Sequence, residues 1–171
     1  MLYAIKLPQK DGKDLYLRKF FSGELESTPN LQMAMYWPER QMAETVCAEL
    51  EDATIVEGSE TIYTVMRWHT ETFPDATLEG QLVKYQEEQN EWIESNYSDA
   101  SELADMFIVA CGIARFDLQE GFFHIADVYD WYASAEQLQL SGLEDAVNKK
   151  MEINRQRKWD KGNGEYKHVE E

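Results

Sequence analysis

Glu102-Leu103-Ala104-Asp105-Met106-Phe107-Ile108-Val109-Ala110-Cys111-Gly112-Ile113-Ala114 is the stretch on which the fold turns. Almost every residue after Glu102 is apolar, yet no polar flank recurs with a helical or strand period. A helix of this texture is buried all round, in the middle of a helical assembly. Asp105 lies inside it, with Glu102 one turn earlier. A carboxylate stays in such surroundings when it is paired, hydrogen-bonded or holding a metal. Asp99 stands before the run, and its spacing to Glu102 fits a D-x-x-E variant of the capping box, so a helix is expected from Asp99 to about Phe116.

Outward from this helix, three others are expected. One follows Thr72-Phe73-Pro74-Asp75-Ala76-Thr77, capped by Asp75 or Thr77, and runs to about Glu94. Another covers Phe123 to Gln139. The last begins at Ser141-Gly142-Leu143-Glu144, a capping-box pattern, and runs to about Trp159, with Gly162-Asn163-Gly164 read as loop. Four helices with short joints suggest a bundle, within one chain or shared between subunits. Residues 1–66 have a different texture and read as a small α/β module. Leu2–Leu7 and Leu15–Phe21 are expected strands around an Asp11-Gly12 turn, and Pro38 opens a helix to about Glu51. Ala53–Val56 and Thr61–Val65 are further strand candidates. The fold class expected is therefore mainly α: a four-helix bundle over residues 67–171, preceded by the α/β module, for which the sequence carries no catalytic motif.

On the helix from Leu78, a step of about 100° per residue groups Leu78, Leu82, Tyr85 and Trp92 into an apolar stripe. Glu88 and Glu91 flank it with Gln81 and Lys84, while Glu87 and Glu94 point to solvent. A lone E-x-x-E is ordinarily a solvated face. Two such one-turn pairs on neighbouring core helices are different, because four carboxylates held together without cations repel strongly. An all-oxygen donor set favours Mg²⁺, with Mn²⁺ the next candidate, and no Cys or His is placed to make a zinc set. The last helix supplies cations. Six of the sixteen Lys and Arg fall between Lys149 and Lys161. Part of this pattern is a basic helix end complementing the dipole. Continuing the face of Leu143, Ala146 and Val147 by helical steps, however, reaches Lys150, Asn154 and Arg157, whereas Lys149, Arg155 and Lys158 look outward. Lys and Arg beside a divalent ion are a usual way to hold a polyphosphate.

Composition narrows the partners. The formal net charge of −17 either serves solubility alone or, where no local basic patch offsets it, repels nucleic-acid backbones and anionic membranes, so a phosphate handled here is expected to belong to a small, metal-chelated molecule. Met106–Ala114 is too short to span a bilayer. Cys47 and Cys111 make no C-x-x-C and no targeting signal is visible, which reads as a cytoplasmic protein. There is no G-x-x-x-x-G-K-S/T, no G-x-G-x-x-G and no His-Asp dipeptide.

Lys84-Tyr85-Gln86-Glu87-Glu88-Gln89-Asn90-Glu91, followed by Glu102-Leu103-Ala104-Asp105, resembles the E-x-x-E … E-x-x-D signature of MazG-like all-α nucleoside triphosphate pyrophosphohydrolases. The resemblance extends over about residues 68–169, through Thr72–Gln81, Phe107–Phe116 and Asn154–Trp159. It looks closest to phage and prophage members with an extra N-terminal module. Gln89-Asn90-Glu91-Trp92 departs from the Gly-Glu-Leu common there, and Phe122–Tyr132 does not align with the pattern. The resemblance implies a four-helix scaffold, Mg²⁺ on Glu88, Glu91, Glu102 and Asp105, and hydrolysis of NTP or dNTP to monophosphate and pyrophosphate by a homodimer or homotetramer. Either Glu88 or Glu91 would orient or deprotonate the attacking water. Lys84, Lys150, Asn154 and Arg157 would contact phosphates. Trp68, His69 and Phe73 are candidates to stack on a base, or else core and lid residues. Two other readings stand beside this one: an acidic helical module that binds a partner protein without catalysis, and the same site acting on another pyrophosphate such as an alarmone.

Overall fold

The computed structural model describes residues 1–8, 14–21, 24–28, 31, 34–37, 39–135, 142–161 and 166–169. The chain is mainly helical and divides into two compact units, Met1–Tyr63 and Thr64–Glu171.

The first unit is a small antiparallel sheet with one helix. Strands β1 (Tyr3–Leu7), β2 (Leu15–Phe21), β3 (Glu24–Thr28) and β4 (Tyr36–Trp37) lie in the order β3-β2-β1-β4. Strand β5 (Thr54–Glu57) also pairs with β1, through Ala4↔Val56 and Ile5↔Ile55. Ile5, Leu7, Leu17 and Trp37 bury against Ala43 of helix α1 (Arg40–Cys47), with Val46 and Ile55 packed around them. The helix begins after Glu39, and Pro38, expected to open it, lies outside the described residues. The expected Asp11-Gly12 turn lies outside the described residues.

Thr61–Val65 is not a strand. It lies in helix α2 (Glu60–Thr72), which runs on into the second unit. The β-branched residues suggested a strand, but Ile62, Val65 and His69 are buried at helical spacing, and packing overrides propensity. Ser59 was the missed signal, because its hydroxyl accepts the Ile62 N–H at 3.3 Å in the manner of a helix cap.

In the second unit, helix α4 (Ala100–Ala114) is packed by α3 (Leu78–Glu94), α5 (Leu118–Ser134) and α6 (Leu143–Gln156). Every residue from Met106 to Ala114 is buried. At about 1.5–3 kcal/mol for each large apolar side chain, that segment anchors the unit. Thr77 caps α3 by accepting the Gly80 N–H at 3.1 Å. Asp99 caps α4 through the Ser101 N–H at 2.8 Å, which leaves the Glu102 side chain to face other carboxylates instead of closing a capping box. Helix α5 starts well before Phe123, because Asp117 accepts the Glu120 N–H at 3.0 Å. At Gly121 this helix crosses α4 so closely that a Cβ would lie 2.2 Å from the Ala114 nitrogen. Helix α6 ends at Gln156, short of Trp159, which opens a hairpin of β6 (Trp159–Lys161) with β7 (Tyr166–His168). Ser141, part of the expected cap, and the expected loop 162–164 lie outside the described residues.

Candidate metal centre and adjoining cavity

The inward line of α3 is Gln81, Tyr85, Glu88 and Trp92. The expected stripe is therefore rotated: Leu82 is 36% exposed, and two polar side chains take the inner face. Polarity misled the sequence reading here, since Gln81 and Glu88 line a cavity and need no apolar neighbour on that side. Glu88 is 6% exposed, but Glu91 is an exposed residue, which corrects the expectation that both face inward.

Burial and convergence are separate matters. One carboxylate oxygen each from Glu88, Glu91 and Glu102 lies within 4.8 Å of the other two. Oxygens sharing one Mg²⁺ at about 2.1 Å stand about 3–4.2 Å apart, so a small closure of this trio would surround an ion. Asp105, the fourth expected ligand, is turned to another partner. Its Oδ2 is 2.5 Å from Lys150 Nζ, reaching across from α6. Glu88 also carries a cation, with Lys84 Nζ 2.7 Å from its Oε1 and 3.2 Å from Glu87 Oε2.

The electrostatics follow from this crowding. Two carboxylate charges about 4 Å apart near a protein surface repel by about 4 kcal/mol, a large share of the about 5–15 kcal/mol that holds a domain folded. Protons answer part of the repulsion. Burial, then the Asp105 charge, lift the Glu102 carboxyl to about 7, against the pull of Lys150. Burial also raises Glu88 and Asp105, each opposed by the hydrogen bond from its lysine. At Lys84 burial works the other way, but the bonds and charges of Glu88 and Glu87 outweigh it and raise its pKa.

This arrangement sets the sign of a pH dependence. Without metal, the folded chain keeps a proton on Glu102 from the ordinary carboxyl value of 4.5 up to about 7, where the unfolded chain has lost it. The stability contributed by that proton is full below 4.5 and is gone as the pH passes through about 7. Melting curves of metal-free protein should therefore fall between pH 5 and 8, with Glu102→Gln flattening the decline and Mg²⁺ restoring the loss at pH 8. Parallel profiles for wild type and variant would show that Glu102 does not titrate in this window.

Beside the carboxylates lies a cavity of about 450 Å³. Glu87, Glu88, Asp105, Lys84, Asn154 and Arg157 line one part, and Trp68, His69, Phe73 and Trp159 another. Arg157 reaches it from an extended residue just past α6, not from the helical face, and donates to Asn154 Oδ1 at 3.1 Å. Trp159 Nε1 donates to the Asn154 carbonyl at 3.2 Å. The Phe73 ring meets Trp68 edge-on at 5.2 Å and Trp159 at 5.0 Å. Comparison with family models, curated proteins and solved structures finds no match. The functional reading consequently stands on the geometry of the site.

The structure brings all the candidate site residues except Glu91, Glu102 and Lys150 onto the cavity wall, and those three touch the carboxylate end. His69 is 3% exposed; burial, then the Arg115 charge, hold its imidazole down to about 4 against the pull of Gln81, so it is neutral at pH 7. Trp159 has a place on the wall that sequence reasoning did not assign, although it closes the Asn154–Trp159 motif. Glu87, expected to be a solvent residue, is exposed but also borders the cavity through its contact with Lys84. The helical wheel could not show this, because it ignores a neighbouring side chain that bends over the helix surface.

Proposed function

We propose that this chain is a Mg²⁺-dependent nucleotide pyrophosphohydrolase of the MazG-like kind, splitting a nucleoside or deoxynucleoside triphosphate into monophosphate and pyrophosphate. The observation that carries the reading is the convergence of three carboxylates next to a cavity whose lining includes Lys84, Asn154 and Arg157 as well as the aromatic side chains Trp68, Phe73 and Trp159. A polyphosphate needs the first group of lining residues, and a base suits the second. The cavity's volume falls in the range of small-molecule sites.

Glu88, Glu91 and Glu102, with Asp105 beside them, would hold the ion. A bound Mg²⁺ supplies charge to offset the phosphates and lowers the pKa of a coordinated water. Glu88 or Glu91 accepts the proton of the water that attacks the α-phosphorus. Lys84, Lys150 and Arg157 hold the phosphate oxygens, and Asn154 fixes the Arg157 guanidinium. Trp68, Phe73 and Trp159 shape the place of the base. The packing of α3, α5 and α6 on α4 supports the four-helix scaffold that this reading requires. The same reading implies a homodimer or homotetramer. Among the described residues, no helix is long and apolar enough to cross a membrane.

The test is a panel of NTPs and dNTPs with Mg²⁺, scored for pyrophosphate against single phosphate. The expected result is pyrophosphate from at least one of them, abolished by a chelator. A panel without turnover would overturn the assignment and leave the two other readings, a non-catalytic binding module and action on another pyrophosphate.

A further inference from the structure

We infer, building on the metal-centre reading above, that Lys84 and Lys150 are built-in counterions of the carboxylate cluster, displaced when a divalent ion enters and passed to the phosphates that accompany it. Each lysine occupies a carboxylate that an ion would use: Lys84 Nζ sits 2.7 Å from Glu88 Oε1, and Lys150 Nζ 2.5 Å from Asp105 Oδ2. The charges show why they are there. Glu88, Glu91, Glu102 and Asp105 carry four negative charges when ionised, and the two ammonium groups cancel two of them. The cluster can then persist without metal at a cost the fold withstands.

The same pairs oppose a bare metal ion. An ammonium and a divalent ion compete for the same carboxylates: an ion on the trio draws Glu88 away from Lys84, and one that also takes Asp105 draws it away from Lys150. Once released from Asp105, the half-buried Lys150 keeps Ser101 Oγ, at 3.5 Å, and the Glu102 charge that it would then share with the ion, so its close ion pair is lost without replacement. Lys84 would keep its bond to the exposed Glu87. A polyphosphate in the adjoining cavity removes this difficulty, because both ammonium groups gain new anionic partners. Lysine suits the exchange: its charge is a point on a flexible four-carbon stem with three donors, whereas a guanidinium holds a fixed fork. Arg157, tied to Asn154, has the opposite character and stays in place. Metal and polyphosphate therefore bind with positive coupling, and by linkage each strengthens the other equally.

The experiment uses the full chain, Mn²⁺ titrated alone by electron paramagnetic resonance, and then imidodiphosphate titrated at saturating Mn²⁺. Lys84→Met and Lys150→Met keep the length of the stem and remove the charge. Each is expected to bind Mn²⁺ alone about tenfold more tightly than wild type, within the usual span of site–site couplings, and to bind imidodiphosphate about tenfold more weakly. Lys149→Met, on the exposed side of α6, should change neither. The opposed signs separate displacement from a structural role, which would weaken both. Should a variant fail to fold without metal, recovery of its melting transition on adding Mn²⁺ supports the proposal, and failure to recover counts against it. Mn²⁺ affinities that stay at the wild-type value or fall would overturn it. A wild type and variants that all fail to bind Mn²⁺ would remove the metal centre itself, a result distinct from failure of the exchange alone.

Discussion

If the proposed function holds, replacing Glu88 with Gln is expected to abolish pyrophosphate release and to leave the fold intact. Glu88 is the one carboxylate of the converging trio that is fully buried, and it lies between the ion site and the cavity. Removing its charge weakens the metal's hold and removes one of the two candidate bases. Loss of metal-ion catalysis is worth several kcal/mol, and each 1.36 kcal/mol is a factor of ten in rate, so turnover should fall by about a thousandfold or more. Stability should hold, because burial already raises the Glu88 pKa and disfavours its ionised form. Gln has the same shape without that charge. Initial rates with the preferred triphosphate, alongside a melting curve, make the measurement. Glu94→Gln, altered on the exposed side of the same helix, should stay within a few-fold. An active Glu88→Gln protein would show that the acidic cluster is not the reaction centre.

The largest effect on stability is expected at Gly121. An alanine Cβ there would meet the Ala114 nitrogen at 2.2 Å and its Cα at 2.3 Å, and backbone has no rotamer with which to give way. Helices α4 and α5 would have to separate along their closest crossing. Overpacking of this kind costs about 1–3 kcal/mol and sometimes more, against a gain of about 1 kcal/mol for Ala over Gly in a helix. At the upper end of that range, where a clash with backbone belongs, the net loss is about 2 kcal/mol and lowers Tm by roughly 4–8 °C in a chain of this size. Thermal denaturation of Gly121→Ala would show it, and a Tm equal to or above wild type would mean that the two helices do not approach so closely.

How far the fold can be read from the sequence varies with the range of the interaction. Thr77 and Asp99 mark their helix starts correctly because a cap bonds an N–H two or three residues away. Ser59 and Asp117 make the same kind of bond, yet their helices were missed or begun late. Thr61–Val65 has strand-like composition, and the aromatic run from Phe122 masked the start of α5. Strands β3 and β4 and the β6–β7 hairpin are short, and their pairing partners define them more than their own residues do. In the site, residue types and helical phase brought Glu88, Glu102, Asn154 and the aromatic group into consideration. The exposure of Glu91, the turn of Asp105 toward Lys150 and the place of Trp159 on the cavity wall came from packing.

By itself the sequence determined that α4 is enclosed on all sides and that carboxylates lie at and near its buried turns. Both follow from local spacing, since the hydrophobic period and the capping bond act within a turn or two. Only the tertiary structure decided which carboxylate faces which cation. Helices α3, α4 and α6 approach from distant parts of the chain, and a shift of a few ångströms between them exchanges a metal-ready oxygen for an ion pair. Coulombic partners are chosen by distance in space, and no period along the chain encodes that distance.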